Sequence, residues 1–147
     1  MNNDFMSNSN VKQAVPFFMV TNMVNSLGFY IERLGFTIKH KWEPREKIEW
    51  CWLQLDNAAI MLQEYRQSPL TEKFGEGVSI YFICEDALAI YNHIISNGLP
   101  TSEPMVVNNM WVVGVSDPDG YKIFFESPTD VPEETMYSDW IKTNRSN

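Results

Sequence analysis

The same order of strand and helix signals occurs twice along the 147 residues, at an offset of about 64 residues, and such a repeat restricts the fold more than any single element does. In the first copy the apolar run 15–20 reads as a strand, with Pro16 near its start or edge. Thr21-Asn22 offers an N-cap. Val24, Leu27, Tyr30/Ile31 and Leu34 recur at helical spacing, and Gly35 stands where a helix-ending glycine belongs. A strand over 36–42, a charged turn over 43–47 and a hairpin over 48–64 complete a β-α-β-β-β unit. The second copy has a strand over 78–84, a cap at Asp86, an apolar helix face of Leu88, Tyr91, Ile94 and Ile95, and a stop at Gly98. Short strands near Met105 and over 110–116 and a final strand over 121–126 follow.

The expected class is therefore α+β: two tandem β-α-β-β-β modules and a short C-terminal helical tail. Residues 1–12 read as a disordered lead and 13–127 as one domain. Module one covers 13–64, a linker 65–76 and module two 77–127. In the tail, 128–147, Thr129 or Asp130 can cap a helix and Pro132 suits its first turn. Met136, Tyr137, Trp140 and Ile141 form a stripe expected to dock on the same domain.

A formal net charge of −8 argues against a nucleic-acid partner, which needs a basic footprint, and favours cationic ligands at a salt-screened level. Cys51 and Cys84 lie inside apolar strand-like runs and read as buried reduced thiols. The polar N-terminus has no apolar core of a signal peptide, and no apolar run approaches the roughly 18 residues of a membrane span. A cytoplasmic protein without a membrane partner is the expectation.

Both hairpins divide into two unlike faces, because side chains alternate along a strand and paired residues share a face. With Asp56-Asn57 as a two-residue turn, Leu55 pairs with Ala58, Gln54 with Ala59, Trp52 with Met61 and Trp50 with Gln63. Cys51, Leu53, Ile60 and Leu62 take the opposite, aliphatic face, which suits a helix. Around Asp117-Pro118-Asp119-Gly120, a turn in which proline presets φ and glycine tolerates positive φ, counting outward from Ser116 and Tyr121 pairs Val113 with Phe124 and Trp111 with Glu126. Val112, Gly114, Ile123 and Phe125 then face the helix. Phe17, Met19 and Tyr81 share the phase of the aromatic face.

The candidate ligand-binding set on the first module is Phe17, Met19, Trp50, Trp52, Gln54, Met61 and Gln63. On the second it is Tyr81, Trp111, Phe124 and Glu126. Large aromatics with a few convergent polar groups are what a small-molecule pocket needs, and a buried amide or carboxylate is a costly choice as mere filler. His93 falls off the apolar helix face and reads as solvated, and His40 reads as edge-strand surface. Asp117 and Asp119 are turn formers rather than a catalytic pair.

Phe29-Tyr30-Ile31-Glu32-Arg33-Leu34-Gly35-Phe36 and Asp117-Pro118-Asp119-Gly120-Tyr121 resemble the two signatures of the glyoxalase/bleomycin-resistance/dioxygenase family, the vicinal oxygen chelate superfamily. The resemblance covers roughly 13–127. It implies paired modules forming a half-barrel cup, commonly completed in a homodimer. In enzymes of the family the cup holds a divalent metal on His, Gln or Glu from the first and fourth strands of each module. Carried onto this chain, those positions are Val15, Met61, Ser79 and Phe124, a poor donor set for such an ion. The expectation is thus a cofactor-free, non-catalytic cup for a small planar aromatic compound, cationic ones favoured, as in the drug-sequestering bleomycin-resistance proteins. Two alternatives stay open: a metal-dependent lyase, isomerase or dioxygenase of the same family, and a metal-free interaction or regulatory domain whose own side chains fill the cup.

Overall fold

A computed structural model describes residues 10–65 and 74–145. The first module runs β1 (Phe17–Val20), α1 (Met23–Leu27, continued by a π-helical stretch Gly28–Arg33), β2 (Thr37–Trp42), β3 (Trp50–Leu55) and β4 (Ala58–Glu64). The second runs β5 (Ser79–Ile83), α2 (Ala87–Ser96), β6 (Met105–Val107), β7 (Met110–Ser116) and β8 (Lys122–Pro128), and α3 (Tyr137–Arg145) closes the chain. Each module makes one four-stranded sheet, in the orders β1-β4-β3-β2 and β5-β8-β7-β6. The outer pair β1/β4, and likewise β5/β8, is parallel and the rest are antiparallel, so the repeat extends to topology. The sheets stay open, as in a half-barrel cup of tandem modules. Most of the expected lead, and residues 66–73 of the expected linker, lie outside the described residues.

Both helices start on a side-chain cap: Asn22 accepts from the Asn25 amide and Asp86 from the Ala89 amide. Both end at a glycine with positive φ, Gly35 at 90° and Gly98 at 76°. The first helix holds one residue more between cap and glycine, and the π-helical stretch absorbs it. As a result Phe29 and Tyr30 are both buried, while Val24, expected on the inner face, is 73 % exposed. Met23 and Ser26 take the inner positions instead. Glu64 accepts from the Met23 amide, which holds the start of α1 to the end of β4.

One apolar core runs through both modules and includes Phe18, Val20, Leu53, Leu62, Val113, Ile123 and Phe125. The two motifs meet within it. The Tyr30 hydroxyl donates to Asp117 at 2.8 Å, and the Tyr121 ring lies 4.0 Å from that of Phe18 at 9°. The Tyr121 hydroxyl donates to the Met19 carbonyl, and the Asp119 carboxylate accepts from the Thr21 amide. The helix signature of one module is thus bonded to the turn signature of the other. Tyr137 and Trp140 of α3 pack on Trp111, so the tail docks on its own domain as expected.

Candidate functional site: the open sheet faces

The register of the first hairpin is the expected one: Leu55–Ala58, Gln54–Ala59, Trp52–Met61 and Trp50–Gln63 are paired. Trp50, Trp52, Gln54, Met61 and Gln63 therefore share one half-buried face, while Cys51, Leu53, Ile60 and Leu62 are buried. Phe17 and Met19 of β1 lie beside Met61 and Gln63 on that face. Strand β2 adds two residues that hairpin counting leaves out. Trp42 pairs with Trp50 and His40 with Trp52, and the antiparallel return of β2 across the charged turn was the available signal. His40 lies on an edge strand as expected, yet its ring stands edge-on to Trp52 at 6.1 Å. Lys39, at a bulge in β2, places its ammonium 5.7 Å from the Trp52 ring centre. The Trp52 indole N–H donates to Gln54, whose amide donates to the Asp56 carbonyl, so this glutamine is held in place by its own strand.

The second hairpin differs from expectation by one residue. Ser116 pairs with Lys122, Gly114 with Phe124 and Val112 with Glu126, while Trp111 pairs with Ser127. Tyr121 does not begin the strand. Its carbonyl accepts from the Asp117 amide and its ring turns inward onto Phe18, which lengthens the turn by one residue. A one-residue slip exchanges the faces of a strand. Trp111 is accordingly not a cup residue: it is 4 % exposed and packs under α3. Val112 and Gly114 move to the open face.

On this open face Tyr81 and Phe124 stack at 4.6 Å and 14°. The Phe124 ring lies over Gly114, where a Cβ would come within 2.6 Å of it. Glu126 follows two residues on, half-buried, and its carboxylate has no hydrogen bond or ion pair among the described residues. Phe17 and Tyr81 remain 51 % and 52 % exposed.

The metal positions implied by the resemblance keep their unsuitable chemistry. Met61 and Phe124 sit on the open faces of β4 and β8, Ser79 begins β5 and Val15 precedes β1. Valine, methionine, serine and phenylalanine do not make a cage for a hard or borderline ion. Among the described residues no three His, Cys, Asp or Glu side chains are grouped as metal ligands. His93 is exposed on α2 with a ring nitrogen 3.0 Å from the Asn97 amide nitrogen.

Burial pushes the Cys51 thiol up to about 11 and raises that of Cys84, and both are free. Thiols held in the protonated form are poor nucleophiles. Burial also raises the Asp117 carboxyl, outweighing the Tyr30, Tyr121 and Asp119 donors that favour its charged form. Because its native pKa lies above the unfolded value, the folded state takes up this proton first. Its contribution to stability rises as the pH falls from above the native pKa towards 3.8. Asp117→Asn lacks this gain and deprives the Tyr30 hydroxyl of its acceptor. At neutral pH it is expected to lose about 1–2 kcal/mol. Urea unfolding of both proteins should show the gap widening on acidification, and a gap that narrows would contradict the raised pKa.

Residues 12–125 match the model of the Glyoxalase/Bleomycin resistance protein/Dioxygenase superfamily, and the chain belongs to it. No curated protein matches it. Among solved structures it is similar to a glyoxalase/bleomycin resistance protein/dioxygenase from Nocardioides, with 13 % identity, 88 % of this chain and 91 % of that one covered, and a TM-score of 0.65. It is also similar to TnmS3, an antibiotic binding protein from Streptomyces sp. CB03234, with 19 % identity, 81 % and 98 % covered and a TM-score of 0.61. TioX from Micromonospora sp. ML1 has 14 % identity, 82 % and 98 % covered and a TM-score of 0.62. At these identities the likeness establishes the fold. No helix among the described residues is long and apolar enough to cross a membrane.

Proposed function

We propose that this protein binds a small planar aromatic cation on its open sheet faces, without catalysis and without a metal. The observation that carries the reading is the Tyr81–Phe124 stack with the Glu126 carboxylate, unpaired among the described residues, on the same face. Flat π surfaces beside a free carboxylate suit a planar cation, and each such contact is worth about 0.5–2 kcal/mol. The Lys39 ammonium over Trp52 supports the same chemistry, since a cation from the chain itself already occupies that ring face. That TnmS3 is an antibiotic binding protein fits small-molecule capture. We further propose that two chains form a homodimer whose partner packs beside Phe17, a large aromatic left half-exposed in the single chain, and leaves the Tyr81–Phe124 stack open to the ligand. Cytoplasmic residence accords with two free, buried or half-buried thiols.

The test is a titration of chelator-treated protein with flat cationic compounds, bleomycin-type glycopeptides among them, followed by tryptophan fluorescence. Saturable quenching is expected, and Trp50→Ala or Trp52→Ala should weaken binding by about 3- to 30-fold. Gly114→Ala should displace the Phe124 ring, break its stack with Tyr81 and weaken binding to a similar degree while the circular dichroism stays native. A response that appears only after a divalent metal is added would replace this reading with a metal-dependent enzyme. Sedimentation velocity checks the dimer, and a monomer at all concentrations would remove it.

A further inference from the structure

The internal repeat provides a template against which the two ends of the molecule can be compared. At one end Tyr121 fills the space over Phe18 and hydrogen-bonds the Met19 carbonyl. The corresponding end of the other module is built from Phe82 and Ile83 of β5, which hold the places of Phe18 and Met19. On the strand opposite, Met61 and Phe124 are counterparts, since each lies against the first strand of its own sheet at Phe17 or Tyr81. Three residues earlier in each sequence, Ala58 corresponds to Tyr121. The ring that plugs one end is thus a methyl group at the other.

The consequence is a half-open cavity of about 930 Å³ behind the second sheet. Its apolar wall includes Phe82, Ala58, Leu55 and Ile90, and Phe82 is half-buried. The cavity lies between the 55–58 turn, the end of β5 and the start of α2, and none of Tyr81, Phe124 and Glu126 lines it. Asp56, Glu85 and Asp86 contribute carboxylates to its lining, and among the described residues no lysine or arginine lines it. His93 at its edge is engaged with Asn97.

We propose that this cavity is a second binding site, taking a phenol-like planar ring with a cationic arm. The ring takes the position over Phe82 that Tyr121 takes over Phe18. Its hydroxyl donates to the Ile83 carbonyl as Tyr121 donates to that of Met19, and the ammonium lies among Asp56, Glu85 and Asp86. Ring stacking supplies shape selection, and the carboxylates exclude anionic rings. The inference stands independently of the reading of the open sheet faces, which uses none of these side chains.

Tyramine, a phenol on an ethylammonium arm, is the probe, followed by amide and indole signals in ¹⁵N-correlated NMR spectra. Saturable shifts are expected at Ala58, Ala89 and Ile90, with the Trp50 and Trp52 indole signals unmoved. Ala58→Tyr, which copies the plugged end, should abolish the shifts and raise the melting temperature. Should that variant fail to fold, Ala89→Trp narrows the same cavity from exposed α2 surface and should abolish the shifts as well. Asp56→Asn with Glu85→Gln should weaken binding by about 2- to 5-fold per carboxylate. Absence of shifts around the cavity, shifts at the indoles alone, or shifts that persist in the filled variants would each overturn the proposal.

Discussion

Trp111→Ala is expected to cost about 3–5 kcal/mol of folding stability, the range for deleting a buried large aromatic, and to leave ligand binding on the open sheet faces intact. Trp111 is 4 % exposed on the helix-side face of β7. Its ring meets Trp140 at 5.6 Å and Tyr137 at 6.1 Å, both steeply inclined, so it joins the tail to the sheet. Truncation would open a cavity and unfasten α3 together. The segment before α3 would loosen with it, since residues 134–137 line the outer edge of β6: the Val106 amide donates to the Thr135 carbonyl and the Tyr137 amide to that of Pro104. Urea unfolding checks the energy, and limited proteolysis should cut first between 129 and 145 in the variant. Ligand quenching of Trp50 and Trp52 should persist wherever the variant is folded. A variant of normal stability that no longer binds ligand would return Trp111 to the cup.

The misreading of Trp111 shows where sequence reasoning stopped. The repeat, the sheet faces of the first hairpin and the meeting of two half-modules follow from local patterns: alternation, caps, and glycines at positive φ. Asp56-Asn57 is a two-residue turn, so counting outward from it gives the observed partners. The second hairpin carries its turn one residue further, because Tyr121 leaves the strand to stack on Phe18, more than a hundred residues away in sequence. That contact is tertiary, and no local rule contains it. A second, local cause exposes Val24: one additional residue in α1 forms a π-helical stretch, and a helix of uniform period does not accommodate it. Trp42 was missed for a third reason. Strand β2 pairs with β3 across the charged turn, outside the reach of a count that starts from Asp56-Asn57. The count from the turn puts Phe124 and Glu126 on the open face, where the parallel pairing of β8 with β5 holds them, and it fails only for their β7 partners.

Gly75→Ala should be more damaging than its position in a connecting segment suggests, with an expected loss of about 3 kcal/mol or more. A Cβ there would stand 2.1 Å from the Tyr121 nitrogen and 2.2 Å from the Gly120 carbonyl carbon. Both are backbone atoms of the turn, so no rotamer change relieves the overlap. Gly75 cannot retreat freely either. Its amide donates to the Asp119 carbonyl, and its carbonyl accepts from the Val78 amide just before β5. Separation would disturb the turn that holds Asp117 against Tyr30 and directs Tyr121 onto Phe18. It would also disturb the register of β8, and with it the phase that puts Phe124 and Glu126 on the open face. Ligand affinity and stability should therefore fall together, unlike in Trp111→Ala. Gly77→Ala is the control. Gly77 has positive φ, at 79°, but nothing within 4 Å of an added Cβ, so only the conformational penalty applies, about 1–2 kcal/mol. Thermal and urea unfolding of the pair decide the matter. Equal losses would mean that the contact between Gly75 and the 117–121 turn is not what fixes the second hairpin.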